Sequence, residues 1–166
     1  MQLFDAFKRE GADIKDNRQR LYSLVDRIVL PHVDPHRMSE QVLGRFWREA
    51  SSAQRETFMQ EFKLLLERTY STAVLDYTDQ QIRYLPTQAR RDGEALVRTV
   101  VEQPEGTSIP VDYAMRQEGQ QWKVFDVVID GASLVIDYRG EFAEEIERYG
   151  MNEFLKRLED KNKSTS

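Results

Sequence analysis

Between residues 80 and 130 the chain is cut into short stretches by turns too brief for the chain to cross over a sheet. "QQIRYL" around residues 80–85 reads as a strand, and "ARRDG" at 89–93 turns the chain. "EALVRTVVE" at 94–102 then alternates, with Ala95, Val97, Thr99 and Val101 on one face. After the loop "QPEGTSI", "PVDYAMRQE" at 110–118 alternates again, setting Val111, Tyr113 and Met115 together, and "EGQQ" leads into "WKVFDVVID" up to residue 130. Parallel neighbours need a crossover of a dozen or more residues, so these stretches pair antiparallel as a four-stranded meander.

Helices flank the sheet on both sides. "ADIKDNRQRLYSLVDRIVL" at 12–30 carries Leu21, Leu24, Val25 and Ile28 at the spacing of one helical face, and Pro31, without an amide hydrogen, ends it. Asp34 before Pro35 has the chemistry of a cap and first turn for a second, short helix, which Gly44 loosens or ends. The longest helix begins at a capping box, Ser51 with Gln54, and carries Phe58, Phe62, Leu65, Leu66, Thr69 and Tyr70 as a wide apolar stripe. After Gly131, Ser133 is a cap, Phe142, Ile146 and Tyr149 share a face, Gly150 breaks the run, and Phe154, Leu155 and Leu158 mark a last helix. The order is helices, strands, helices: one α+β domain over residues 1–166, with 1–12 and 163–166 expected as flexible ends.

The composition excludes several functions. With a net charge of −5 the chain lacks the positive surface of a general nucleic-acid binder. No apolar run is long enough to span a membrane, and the first residues lack the apolar core of a secretory signal. Without cysteine there is neither a disulfide nor a thiolate nucleophile. His32 and His36 stand four apart, but Pro31 and Pro35 interrupt the helix that would align them on a metal. There is no phosphate-binding glycine loop and no nucleophile elbow. No cofactor or metal is expected.

The last strand and the helix start after it, "WKVFDVVIDGASLVIDYRGEF", pose the sharper question, because the strand is apolar on both faces and yet holds Asp126. A carboxyl buried without partners could act as a base on a hydrophobic substrate, as in small cone-shaped α+β enzymes. The alternative is a structural carboxylate that pairs with an arginine or accepts backbone hydrogens. A third reading is an adaptor that binds another protein through its arginine-rich surface.

Two long stretches resemble one family. Leu30-Pro31, Asp34, Leu43-Gly44, Trp47, Gln54-Arg55, Phe58, Phe62, Leu65, Thr69-Tyr70, Trp122, Asp126, Gly131, Ser133-Leu134 and Tyr138-Arg139 stand in the order and spacing of the MlaC family, also called toluene-tolerance auxiliary proteins. The resemblance runs from about Asp13 to Asn162. It implies helices packed on a curved four-stranded antiparallel meander sheet enclosing an apolar cavity. It also implies a monomeric, non-enzymatic periplasmic phospholipid carrier, in mature form, with phospholipid as cargo rather than cofactor. Its implied partners are an outer-membrane lipoprotein–porin complex and the MCE-domain subunit of an inner-membrane ABC transporter, and the implied role is upkeep of outer-membrane lipid asymmetry. Candidate lipid-contacting residues are Val42, Leu43, Phe46 and Trp47, then Phe58, Phe62, Leu65, Leu66 and Tyr70 on the long helix. On the strands they are Val97, Val101, Val111, Tyr113, Met115, Val127 and Ile129, and beyond them Leu134, Tyr138 and Phe142. In this reading the long helix faces the strands through Phe62, Leu65 and Leu66, leaving room between the two walls.

Overall fold

A computed structural model of the chain describes residues 22, 23, 26, 27, 29–76 and 81–164. The helix expected over 12–30 lies mostly outside the described residues, as do residues 1–12 and 165–166. The helical half starts where the sequence places its caps. After a turn of 3-10 helix at Leu30–His32, Asp34 accepts a hydrogen bond from the Arg37 amide at 2.9 Å and Pro35 occupies the first turn of α1 (Pro35–Leu43). Gly44, with φ of +59°, ends α1 and opens the short α2 (Arg45–Glu49), a conformation that a residue with a Cβ adopts only under strain. The capping box before α3 (Ser52–Asp76) is formed in both directions: the Gln54 amide donates to Ser51 Oγ at 3.1 Å, and the Ser51 amide donates to Gln54 Oε1 at 2.9 Å.

The sheet keeps the expected antiparallel order and gains two short strands. β1 (Gln81–Tyr84), β3 (Glu94–Glu102), β4 (Ser108–Glu118) and β5 (Gln121–Ile129) lie side by side. β2 (Gln88–Ala89) also pairs with β3, and β6 (Ala132–Ser133) pairs with β5 across an Asp130-Gly131 turn, making a six-stranded sheet. Both residues of that turn have positive φ, 51° and 85°, as a two-residue hairpin with the twist of the strands demands. Two residues are too few to show a period, which is why β2, running into the turn at 89–93, and β6, where the sequence places the start of a helix, do not stand out as strands. β4 also begins at Ser108, earlier than expected, inside what read as loop. α4 (Leu134–Tyr149) comes directly after β6, with Ser133 Oγ accepting from the Ile136 amide at 3.1 Å. Gly150 separates it from α5 (Met151–Ser164).

Among the described residues, no helix is long and apolar enough to cross a membrane.

Candidate functional site

The apolar residues divide into two groups that do not merge. The first is a packed helical core. Met38, Val42, Leu43, Phe46, Trp47, Phe58, Phe62, Leu65, Val135, Phe142, Ile146, Phe154, Leu155 and Leu158 form one buried cluster, and every one of them lies on a helix. Phe58, fully buried, stacks on Phe62 at 5.3 Å between ring centres and meets Phe142 edge-on at 5.8 Å. Phe62 is edge-on to Tyr138 at 5.4 Å. Each such ring removes on the order of 2–3 kcal/mol worth of apolar surface from water. Of the candidate lipid contacts, Val42, Leu43, Phe46, Trp47, Phe58, Phe62, Leu65 and Phe142 belong to this cluster, with Leu66, Leu134 and Tyr138 partly buried against it. Phe62 and Leu65, expected to face the strands, are thus packed among helices. Tyr149, expected on the face of Phe142 and Ile146, is instead 38 % exposed, with the Arg157 guanidinium 3.7 Å from its ring centre.

The second group is one face of the sheet. Register places Val97 opposite Tyr113 and Tyr113 opposite Val127, so the three make a row across β3, β4 and β5. The next rows are Thr99, Val111 and Ile129, then Val101 with Ile109 and Ile82, and at the other end Ala95, Met115 and Val124. Thr99 hides its polarity by donating to the Val111 carbonyl at 2.6 Å. Val97, Val111, Tyr113, Met115, Val127 and Ile129 are half-buried and Val101 is buried, yet none joins the helical core. Ile82, Ile109 and Val124 share this face and were not among the sequence candidates. The signal for Ile109 was present, since Ile109, Val111, Tyr113 and Met115 alternate without a break, but Pro110 masks it. Val124 was hidden by a slip in register. Ala114 is opposite Asp126 and Met115 is opposite Val124, which leaves Phe125 as an extra residue of β5. That bulge also explains why the strand departs from strict alternation.

Asp126 is fully engaged at the joint between sheet and helices. Its Oδ1 accepts from the amides of Val127 at 2.8 Å and Val135 at 3.0 Å, and its Oδ2 accepts from Ser133 Oγ at 2.6 Å. The carboxylate therefore ties β5 to the first turn of α4, where the helix dipole also favours negative charge. The backbone-bonded half of the structural reading holds, and the bonds come from amides and a hydroxyl. A free carboxyl poised as a base is not what this geometry offers.

Elsewhere among the described residues, two titratable groups are perturbed. Burial, then its hydrogen bond to Asp26 and that residue's charge, push the Glu67 carboxyl up to about 8, against a smaller opposing pull from Lys63. Lys63 Nζ lies 3.4 Å from Asp26 Oδ2 and 3.9 Å from Glu67 Oε1. The Tyr138 hydroxyl is raised above tyrosine's ordinary range, first by burial and then by its bond to Tyr70. Tyr70 and Tyr138, both sequence candidates, are thus brought together at the edge of the helical core. No group of side chains suited to a metal occurs among the described residues.

A packed helical core beside an apolar sheet face that stands apart from it defines a small α+β domain. The family model for "MlaC protein" matches residues 1–160, and the chain belongs to that family. It is 29 % identical over 150 residues to the toluene tolerance protein ttg2D of Pseudomonas putida, covering 90 % of this chain and 70 % of that one. It is 25 % identical over 162 residues to the intermembrane phospholipid transport system binding protein MlaC of Haemophilus influenzae, covering 95 % and 76 %. Among solved structures it resembles a phospholipid-binding protein of Ralstonia solanacearum in complex with a phospholipid. The TM-score is 0.90 at 30 % identity, over 98 % of this chain and 92 % of that one.

Proposed function

We propose that the protein is a periplasmic phospholipid carrier, that the apolar sheet face is one wall of its cargo site, and that it performs no catalysis. The observation that carries the reading is that face: a run of valine, isoleucine, tyrosine and methionine side chains aligned across β3, β4 and β5 and left out of the packed core. Family membership and the phospholipid held by the similar Ralstonia protein support it. The physical need is large. A diacyl lipid exposes on the order of thirty methylenes, each costing about 0.8 kcal/mol in water. Moving one lipid through an aqueous compartment unaided therefore costs roughly 20 kcal/mol. A carrier removes most of that by holding the tails in an apolar cavity.

The cargo wall comprises Val97, Val101, Val111, Tyr113, Met115, Val127 and Ile129, joined by Ile82, Ile109 and Val124. Leu66, Tyr70, Leu134 and Tyr138, at the partly buried margin of the helices, are proposed as the facing contacts. The eight candidates inside the helical core act as the rigid support behind them. The partners are an outer-membrane lipoprotein–porin complex and the MCE-domain subunit of an inner-membrane ABC transporter, with the carrier working as a monomer. Gentle purification followed by native mass spectrometry and organic extraction tests the reading. Phospholipid in near-stoichiometric amount is expected, and protein that carries none would refute it.

A further inference from the structure

Sheet and helices are joined mainly along β5. Val33 forms an isolated bridge with Val124, the Asp34 amide donates to the Val124 carbonyl at 2.9 Å, and Asp126 binds the start of α4. β3 and β4, which carry most of the proposed cargo wall, pack chiefly on neighbouring strands, and their buried Leu96, Val101 and Ala114 stand outside the helical core. Among the described residues, a side-chain bond reaches across to this part of the sheet. Arg37 Nη2, on α1, donates to Glu94 Oε1 at 3.2 Å, at the first residue of β3.

Both ends of that bond are firmly set. Arg37 stands in the first turn of α1, its amide held by Asp34, and its guanidinium lies 4.9 Å from the ring centre of Phe125, the extra residue of the β5 bulge. Its Nε is buried and has no hydrogen-bond partner. Glu94 sits in a knot of backbone bonds. Its amide donates to Arg91, its carbonyl accepts from Arg90, and next to it the Gly93 carbonyl accepts from the Gln117 amide of β4 at 2.8 Å. A pull on Glu94 is therefore a pull on the end of both β3 and β4. The side chains are 27 % and 20 % exposed, so the pair is partly withdrawn from water, where an ion pair is stronger than on the open surface.

Resting on the carrier reading, we infer that Arg37 and Glu94 form a clasp that holds the β3–β4 side of the cargo wall against α1 and thereby sets how fast lipid leaves. They are positioning residues, since neither belongs to the cargo wall. Closing the clasp favours the lipid-retaining arrangement of the wall, and opening it lets β3 and β4 move about the β5 joint. A ligand's release tracks the population of the open arrangement, so weakening the bond speeds release without removing the binding surface.

The test loads the protein with phosphatidylglycerol bearing a pyrene-labelled acyl chain and times its loss to vesicles of phosphatidylethanolamine and phosphatidylglycerol. Glu94→Gln is expected to release lipid about five-fold faster, the scale of one partly exposed ion pair. Lipid bound per protein at purification should be unchanged. Glu102→Gln serves as the control of equal charge, because Glu102 pairs with Arg83 inside the sheet at 3.1 Å, and it should match the parent protein. The chain has no cysteine, so Arg37→Cys with Glu94→Cys gives a unique pair. Joined by a short bismaleimide, this variant should release lipid more slowly than the parent, and unjoined it should behave like Glu94→Gln. Equal release from Glu94→Gln and the parent would overturn the clasp, as would a joined variant no slower than the parent. Parent protein that purifies without lipid would overturn the carrier reading and the clasp with it, whereas lipid present but indifferent to these changes overturns the clasp alone.

Discussion

Replacing Asp126 separates a structural carboxylate from a catalytic one, and the size of the effect can be worked out from its bonds. In Asp126→Ala the amides of Val127 and Val135 and the hydroxyl of Ser133 lose their acceptor at the joint of β5 and α4. Three such losses at about 1 kcal/mol each come to roughly 3 kcal/mol. Asp126→Asn is gentler. Its oxygen keeps both amide bonds, but its amide nitrogen now faces Ser133 Oγ, which already accepts from Ile136, so the serine proton loses its acceptor. That single mismatch costs about 1 kcal/mol. With a urea slope of roughly 2 kcal/mol per molar, the midpoint should fall by about 1.5 M for Asp126→Ala and about 0.5 M for Asp126→Asn. Unfolding would be monitored by circular dichroism on delipidated protein, so that cargo does not contribute. An Asp126→Ala midpoint equal to that of the parent would refute the three-bond account. Hydrolysis of any lipid ester that vanishes in Asp126→Asn would restore the enzyme reading.

Other substitutions probe the two apolar groups and the buried carboxyl. Val97→Trp projects from the sheet face beside Tyr113; it should at least halve the phosphate extracted per protein while the delipidated melting point holds. A filled site would instead lose about 1–3 kcal/mol by overpacking, which would move Val97 out of the cargo wall. Phe58→Ala empties the centre of the helical core and should cost about 3–5 kcal/mol, with lipid per folded molecule unchanged; a fall in lipid without a fall in stability would make Phe58 a cargo contact. Glu67 binds its proton more tightly folded than unfolded, so its contribution is present at low pH and is lost as pH rises from 4.5 through about 8. Melts from pH 5 to 8.5 should show the parent losing on the order of 4 kcal/mol relative to Glu67→Gln, and parallel curves would contradict the buried proton.

Much of the framework was legible because it is local. The caps at Asp34, Ser51 with Gln54, and Ser133 each act within three residues, and all three formed as the spacing predicts. Gly44 and Gly150 punctuate the helices through their own backbone angles. The meander was readable from connection length and alternation, which involve only neighbours in sequence. What the sequence left open is which apolar side chain meets which. Phe62 on α3 and Val97 on β3 are each apolar and periodic, and a helix stripe that packs on other helices has the same period as one that faces a sheet. Only the folded chain puts Phe62 against Phe58, Phe142 and Tyr138 while leaving Val97 in a row with Tyr113 and Val127. The bulge at Phe125 was likewise invisible, because the slip exists only between β4 and β5. Asp126 reaching Val135 and Arg37 reaching Glu94 depend on elements meeting in space, the latter pair standing 57 positions apart in the chain. Short-range chemistry is written along the chain; the division of its apolar residues between a packed helical core and a separate sheet face depends on surfaces that exist only once helices and sheet have come together.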